Sequence, residues 1–338
     1  MMEVDQKSDR PAHHRSEGGF RNPWPKAEQH GFGDFLKWVV ERRRKPRRPD
    51  PDPATFERIA PRFIVPRATP DELTLTWVGH TSFLIQIGGL NVLIDPMWSE
   101  RASPVQFAGP RRLVPPAVDF DRLPPIDVVL ISHDHYDHLD AATVSRIAAR
   151  YPAATWFAPL GVGAFLRQRG ARDVTERDWW EEATAVGALR LTCTPAQHFS
   201  GRTLGRRDRT LWCGWTLRSR DHNLFFGGDT ALHPEFAAIA SRCGPFDLAI
   251  LPIGAYEPRW FMGSVHMNPE DCMTAVNRLN AAQGGVNVTL AAAHWGTFKL
   301  TDEPMDEPPA RMRSAWQSNG LDSNKLWIMC HGETRKFP

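Results

Sequence analysis

The run Ile131-Ser132-His133-Asp134-His135-Tyr136-Asp137-His138 constrains this chain more than any other part of it. Three imidazoles and a carboxylate stand in fixed register, H-x-H-x-D-H, directly after the apolar stretch 126–131, which reads as a buried strand. A fold that accepts this run must end a strand at an accessible edge and hold two sets of ligands there. His133 and His135 can grip one divalent ion, while Asp137 and His138, displaced around the turn, face a second. Neutral imidazole and carboxylate are zinc-type donors. Asp140 is placed to cap a helix over residues 141–150, so the donors fall on a strand-to-helix loop, fixed in backbone and accessible in side chain.

Three later segments repeat the pattern of an apolar strand followed by one donor-type residue. Residues 189–194 lead to His198, residues 223–226 lead through Gly227 and Gly228 to Asp229, and residues 288–293 run into His294. Singly, each would be a core or capping residue more often than a ligand. Together they supply what the first cluster lacks, because two ions about 3.5 to 4 Å apart need a shared carboxylate and further imidazoles. Asp229 fits the bridge, His198 completes the ion held by His133 and His135, and His294 completes the ion held by Asp137 and His138. Zinc is the first expectation for the pair of ions, and the same donors accept manganese or iron.

The remaining chain sets limits. Of 338 residues, 41% are hydrophobic and 24% charged, enough to bury a large core. The net charge of +2 gives no global attraction to nucleic acid, and no nucleic-acid partner is expected. Five cysteines, Cys193, Cys213, Cys243, Cys272 and Cys330, are widely spaced without a C-x-x-C pair, so reduced thiols are expected rather than a disulfide framework. No signal peptide or membrane-spanning run is visible, and the chain reads as cytoplasmic. We divide it into an N-terminal extension, residues 1–66, and a catalytic body, residues 67–338. Within the extension, residues 1–21 read as disordered. Residues 34–43 read as a short amphipathic helix carrying Phe35, Leu36, Trp38, Val39 and Val40, with six basic residues among positions 42–48. Such a helix can lie on an anionic bilayer, making the protein peripheral, or pack its apolar side on the body; both readings stay open. From Leu73 onward the pattern is that of a sheet, with Gly88 and Gly89 as a hairpin turn. Residues 97–125, long and proline-rich, read as a lid or wall.

The seven donors and their order resemble the metallo-β-lactamase superfamily over roughly residues 70–335. Within it the chain is similar to the N-acylphosphatidylethanolamine-hydrolysing phospholipase D family and its bacterial relatives. That likeness is carried by Asn22-Pro23-Trp24-Pro25, Trp77-Val78-Gly79-His80-Thr81-Ser82, Asp95-Pro96, Gly109-Pro110-Arg111-Arg112, the stretch from Gly254 through Tyr256, Glu257, Arg259 and Trp260 to Met262, His266, Asn268-Pro269-Glu270, and His294-Trp295-Gly296-Thr297-Phe298. The resemblance implies an α/β fold, an αββα sandwich of two similar halves with a binuclear metal site at one edge. It also suggests a homodimer.

The implied chemistry is phosphodiester hydrolysis of phospholipase D type. Two cations bring a bridging water toward neutral pKa, hydroxide attacks phosphorus, and the products are phosphatidic acid and an N-acylethanolamine. Asp137 would bind metal and orient the nucleophile. His266 or Tyr256 would stand near the substrate, His80 would orient a ligand, and Glu257, Arg259 and Trp260 would complete the surroundings. Arg111, Arg112 and Arg202 are candidates to meet a phosphate, and Trp98 or Trp260 to line an acyl groove. Alternatives are hydrolysis of a small soluble phosphodiester or lactone and, in another class, a membrane-associated binding protein without activity.

Overall fold

The computed structural model describes residues 10–25, 30–44, 48–202 and 207–338. Apolar runs bounded by glycine and proline become two seven-stranded sheets. The first begins as a meander of β1 (Leu73–Gly79), β2 (Ser82–Ile87) and β3 (Leu90–Ile94), then continues in parallel through β4 (Val128–Leu130), β5 (Thr155–Pro159) and β6 (Asp173–Arg177). The second repeats the plan. β7 (Glu182–Thr184), β8 (Arg190–Thr194), β9 (Gly214–Arg218) and β10 (Asn223–Phe226) are antiparallel, and β11 (Leu248–Pro252), β12 (Thr289–Ala293) and β13 (Leu326–Trp327) follow in parallel. The last strand, β14 (Thr334–Lys336), returns to pair with β1, closing the first sheet. Each sheet is therefore half meander and half parallel, and the two similar halves expected from the resemblance are present.

Helices cover the outer faces. Before the sheets stands α1 (Phe32–Arg44); α2 (Ala141–Arg150) and α3 (Gly163–Gln168) lie on the first sheet, with Val144, Ile147 and Leu166 packed against Leu84, Val129 and Trp156. On the second sheet lie α4 (Phe236–Cys243), α6 (Pro269–Ala282) and α7 (Glu307–Ser318), preceded in the case of α6 by the short α5 (Arg259–Met262). Between the sheets, inward side chains such as Leu75, Trp77, Phe83 and Ile85 join Trp215, Leu217 and Leu224 in one core. The αββα sandwich is thus in place. Asp140 caps α2 through a bond from the Ala142 amide, as its position predicted. Gly88 and Gly89, at φ of 61° and 77°, make the expected hairpin turn.

The N-terminal extension departs from expectation in part. Residues 1–9 and the basic positions 45–47 lie outside the described residues. Residues 10–21, read from composition as disordered, instead pack on the body: Phe20 is buried, and the His13 and His14 rings reach Asp178. Composition misleads here because the anchoring partners belong to a distant part of the chain. In α1, Trp38 is buried and donates its indole N–H to Asp302 at 2.8 Å, while Arg42 pairs with the same carboxylate. Phe35, Leu36 and Val40 are exposed. Among the described residues no helix is long and apolar enough to cross a membrane.

Two glycines let loops converge at the edge where the sheet ends meet. A Cβ on Gly254 would stand 2.2 Å from the His294 carbonyl oxygen, and one on Gly228, at φ of 61°, would stand 2.6 Å from that of Cys213. Gly254→Ala should therefore lower stability by about 1–3 kcal/mol through overpacking. Urea unfolding with no change in midpoint would remove this close approach from the account of the site.

Candidate metal centre

Each candidate donor follows a strand. His133, His135, Asp137 and His138 follow β4, His198 follows β8, Asp229 follows β10 and His294 follows β12; His80 and Asp95 stand directly after β1 and β3. Strand ends at one edge of a sandwich fix backbones that side chains can then bridge.

Two convergences result. In the first, His133 Nε2 lies 2.8 Å and His198 Nε2 3.1 Å from His135 Nδ1. In the second, Asp137 Oδ2 lies 3.4 Å from His138 Nε2 and 3.5 Å from His294 Nε2. Asp229 stands between them. Its Oδ2 is 3.0 Å from Nε2 of both His138 and His294, and 3.9 Å from Nε2 of both His133 and His198. All seven residues singled out by spacing come together, with Asp229 Oδ2 between the two sets.

A second layer sets which nitrogen faces inward. His198 Nδ1 lies 2.9 Å from the Val265 carbonyl, which can only accept, so the proton sits on Nδ1 and the Nε2 lone pair faces the cluster. Asp95 does the same for two others. Its carboxylate accepts from the Ser132 hydroxyl at 2.6 Å and the Ser132 amide at 2.7 Å, and stands 2.8 Å from His138 Nδ1. With its own proton committed to Asp95, Ser132 Oγ accepts from His133 Nδ1 at 2.9 Å. In the sequence Asp95-Pro96 stood out only as part of the family likeness, with no role for Asp95 at the centre. An aspartate ending a fully buried strand was the available signal.

These residues suit cations. His138 Nε2, His294 Nε2 and Asp229 Oδ1 are buried without a hydrogen-bond partner, a state that is costly unless something else satisfies it. Burial works against ionising Asp137 and Asp229, yet His138 and His294 together, joined at Asp137 by His80, outweigh it and hold both carboxyls well below the usual range. Against the burial penalty, Asp229 and Asp137 raise His294 to about 9 and raise His138 as well. Burial and the neighbouring His138 push His133 far down, leaving a neutral imidazole. The cluster thus draws positive charge to the Asp137–Asp229 side, where divalent ions would supply it.

The surrounding candidates divide. His80 Nε2 is 2.9 Å from Asp137 Oδ2 and orients that carboxylate. His266 is buried beside the cluster, its ring 4.9 Å from that of His198 and 5.1 Å from that of His294, with Nδ1 unpartnered. Arg259 fixes the loop beneath by donating to the His266 carbonyl and to Asp271. Glu257 accepts from the Arg259 amide. Tyr256 does not face the site: its hydroxyl donates to Glu307 at 2.8 Å and Arg311 covers its ring. Trp260 lies under Lys37 of α1, and Trp98 bonds the Val118 carbonyl. Arg112 is committed to the carbonyls of Met97 and Ser99, and Arg111 pairs with Glu100. Arg202 bonds the carbonyls of Asp134 and Leu139, and it lines a cavity. That cavity, of about 740 Å³, adjoins the cluster at His266 and has apolar walls including Phe35, Trp38, Phe199, Phe261 and Met262.

Residues 90–286 match the model of the beta-lactamase superfamily domain. An uncharacterized protein of Mycobacterium tuberculosis is 42% identical over 264 residues, spanning 75% of this chain and 69% of that one. The N-acyl-phosphatidylethanolamine-hydrolyzing phospholipase D 1 of Caenorhabditis elegans is 39% identical over 251 residues, spanning 71% and 69%. Among solved structures, the metallo hydrolase Igni18 of Ignicoccus hospitalis superposes with a TM-score of 0.58 at 22% identity, covering 79% of this chain and 99% of that one.

Asp229→Asn should lower the content of bound metal while circular dichroism stays that of the folded chain; undiminished metal would remove Asp229 from the centre. Asp95→Asn should weaken metal affinity about 10–100-fold by loosening His138 and His133. Loading metal-free protein at pH 7 should release protons, because His294 and His138 are protonated there and must lose that proton to bind. The His294 share should fade as pH rises past about 9. Calorimetric enthalpies independent of buffer ionisation would contradict this electrostatic assignment.

Proposed function

This chain belongs to the metallo-β-lactamase superfamily and is a metal-dependent hydrolase, and from that premise we propose that it cleaves phosphodiesters of the N-acylphosphatidylethanolamine kind, in the manner of a phospholipase D. The observation that carries this reading is the apolar cavity meeting the donor cluster at His266. Its volume is in the range of pockets that bury most of a drug-sized ligand, room for the part of a lipid next to the scissile phosphate rather than for a whole phospholipid. Similarity to the worm phospholipase supports the same substrate class.

His133, His135 and His198 would hold one divalent ion, Asp137, His138 and His294 the other, with Asp229 shared. When bound, the two ions supply Lewis acidity for water activation and positive charge against the phosphate. Zinc is the ion this donor set favours. The protein's own groups do the rest. Asp137, held ionised and oriented by His80, accepts a hydrogen bond from the attacking water. His266, neutral because burial holds its pKa far down, offers an N–H to a phosphoryl oxygen. Acyl chains lie against Phe35, Trp38, Phe261 and Met262, away from water. As the water oxygen bonds to phosphorus, the bond from phosphorus to the distal alcohol breaks and its oxygen takes up a proton from solvent, giving phosphatidic acid and an N-acylethanolamine.

The same cavity wall gives α1 two tasks. Trp38 closes the cavity while Leu36, Val40 and their basic neighbours Lys37, Arg43 and Arg44 are exposed, a surface suited to anionic lipid headgroups. This protein would then act as a peripheral enzyme.

Metal-replete protein incubated with N-acylphosphatidylethanolamine in mixed micelles should release N-acylethanolamine and phosphatidic acid, resolved by mass spectrometry, and EDTA should stop it. No product from protein carrying its metal would sink the lipid reading and direct the search to small phosphodiesters and lactones. Leu36→Asp with Val40→Asp should weaken sedimentation with anionic vesicles while turnover of a soluble phosphodiester is kept. Equal losses in both would assign α1 to packing alone.

A further inference from the structure

A second cluster of metal-type donors lies apart from the hydrolytic centre, where the N-terminal segment meets the connection between the two sheets. His13 Nε2 is 2.7 Å from Asp178 Oδ1, and His14 Nε2 is 2.7 Å from Asp178 Oδ2. Asp178 stands between β6 and β7, at the crossing from the first sheet to the second. Adjacent side chains of an extended segment would point to opposite sides. Here they converge because a turn, closed by the bond from the His14 amide to the Pro11 carbonyl, bends the chain at His13.

The surroundings are those of a built site. The His13 ring stacks on Trp179 at 4.2 Å, and Trp24 stacks on the same indole at 5.6 Å. Side-chain exposure is 8% for His13 and 14% for Asp178, but 24% for His14, so one side stays open to solvent. Burial opposes ionisation of Asp178, yet the His13 and His14 contacts outweigh it and keep the carboxylate charged. The donor atoms of the three residues lie within 4.8 Å of one another. Donors bound at about 2.0–2.2 Å to one tetrahedral ion stand about 3.3–3.5 Å apart, so the His–Asp contacts must open by roughly 0.6–0.8 Å, within the reach of side-chain torsions.

We propose that His13, His14 and Asp178 form a third divalent-cation site, of zinc type, that fastens the N-terminal segment to the junction of the two sheets. The donor set is two imidazoles and one carboxylate, with the remaining coordination open to solvent. Its role is structural. The segment it fastens continues to Asn22, whose amide donates to the His198 carbonyl at 2.9 Å, and to Trp24, which stacks on His233. A cation here would hold the strap lying behind one of the hydrolytic donors without touching the reaction.

The test uses the full untagged chain loaded with zinc chloride and freed of excess by gel filtration, its metal counted by mass spectrometry. Asp178→Asn and the double variant His13→Gln, His14→Gln should each carry one zinc equivalent fewer than the parent. Equal zinc content in all three overturns the proposal. Trypsin supplies a readout independent of hydrolysis, since Arg15 and Arg21 lie in the strap. Zinc at about ten times its dissociation constant should slow cleavage there about tenfold in the parent. The protection should persist in Asp229→Asn and vanish in Asp178→Asn. Cleavage indifferent to zinc in the parent, or equal protection in Asp178→Asn, overturns the proposal even where a variant folds poorly.

Discussion

Buried charge governs this molecule. Asp137 and Asp229 stay ionised among His133, His138, His198 and His294, nearly all of them cut off from water, and four of their polar atoms, His138 Nε2, His294 Nδ1 and Nε2, and Asp229 Oδ1, lack a hydrogen-bond partner. Such an arrangement is unfavourable on its own. It persists because rigid strand ends hold each side chain from behind and because cations can enter from in front. The fold can be understood as a device for delivering donors, and the His80 and Asp95 side chains that orient them, from six strand ends to one edge, each a short step past a strand in one of two facing sheets.

Most of that delivery was legible before any coordinates. The register of His133, His135, Asp137 and His138 after an apolar strand, and the repeated grammar at His198, Asp229 and His294, are local patterns with a physical meaning that spacing preserves. What the pattern missed depends on contacts between remote segments. Asp95 orients two imidazoles through Ser132 and His138, yet in sequence it is only an aspartate before a proline. Tyr256 looked available, but Glu307, on a helix about 50 residues away in sequence, takes its hydroxyl. Arg112 looked ready for phosphate and is spent on two backbone carbonyls. Composition likewise misjudged residues 10–21, whose local turns are fastened to the body through Asp178 and Asp208, far off in sequence.

The αββα architecture itself came from resemblance, since alternating apolar runs fit many layered folds. Once visible, its internal repetition explains why the donors sort as they do. The first sheet supplies His80, His133, His135, Asp137 and His138, and the second supplies His198, Asp229 and His294. Neither sheet carries a complete set. The facing edges must register before either convergence exists, so the core between the sheets sets the spacing of the centre.

The contacts of the N-terminal segment also impose an order in time. Trp38 bonds Asp302 across 264 positions, Asn22 bonds the carbonyl of His198 across 176, and β14, near the end of the chain, completes the sheet begun by β1. Contacts of such long range form late and slowly. During synthesis the strap and α1 emerge before the partners they need and wait, apolar face uncovered. The cavity wall is therefore among the last parts to assemble.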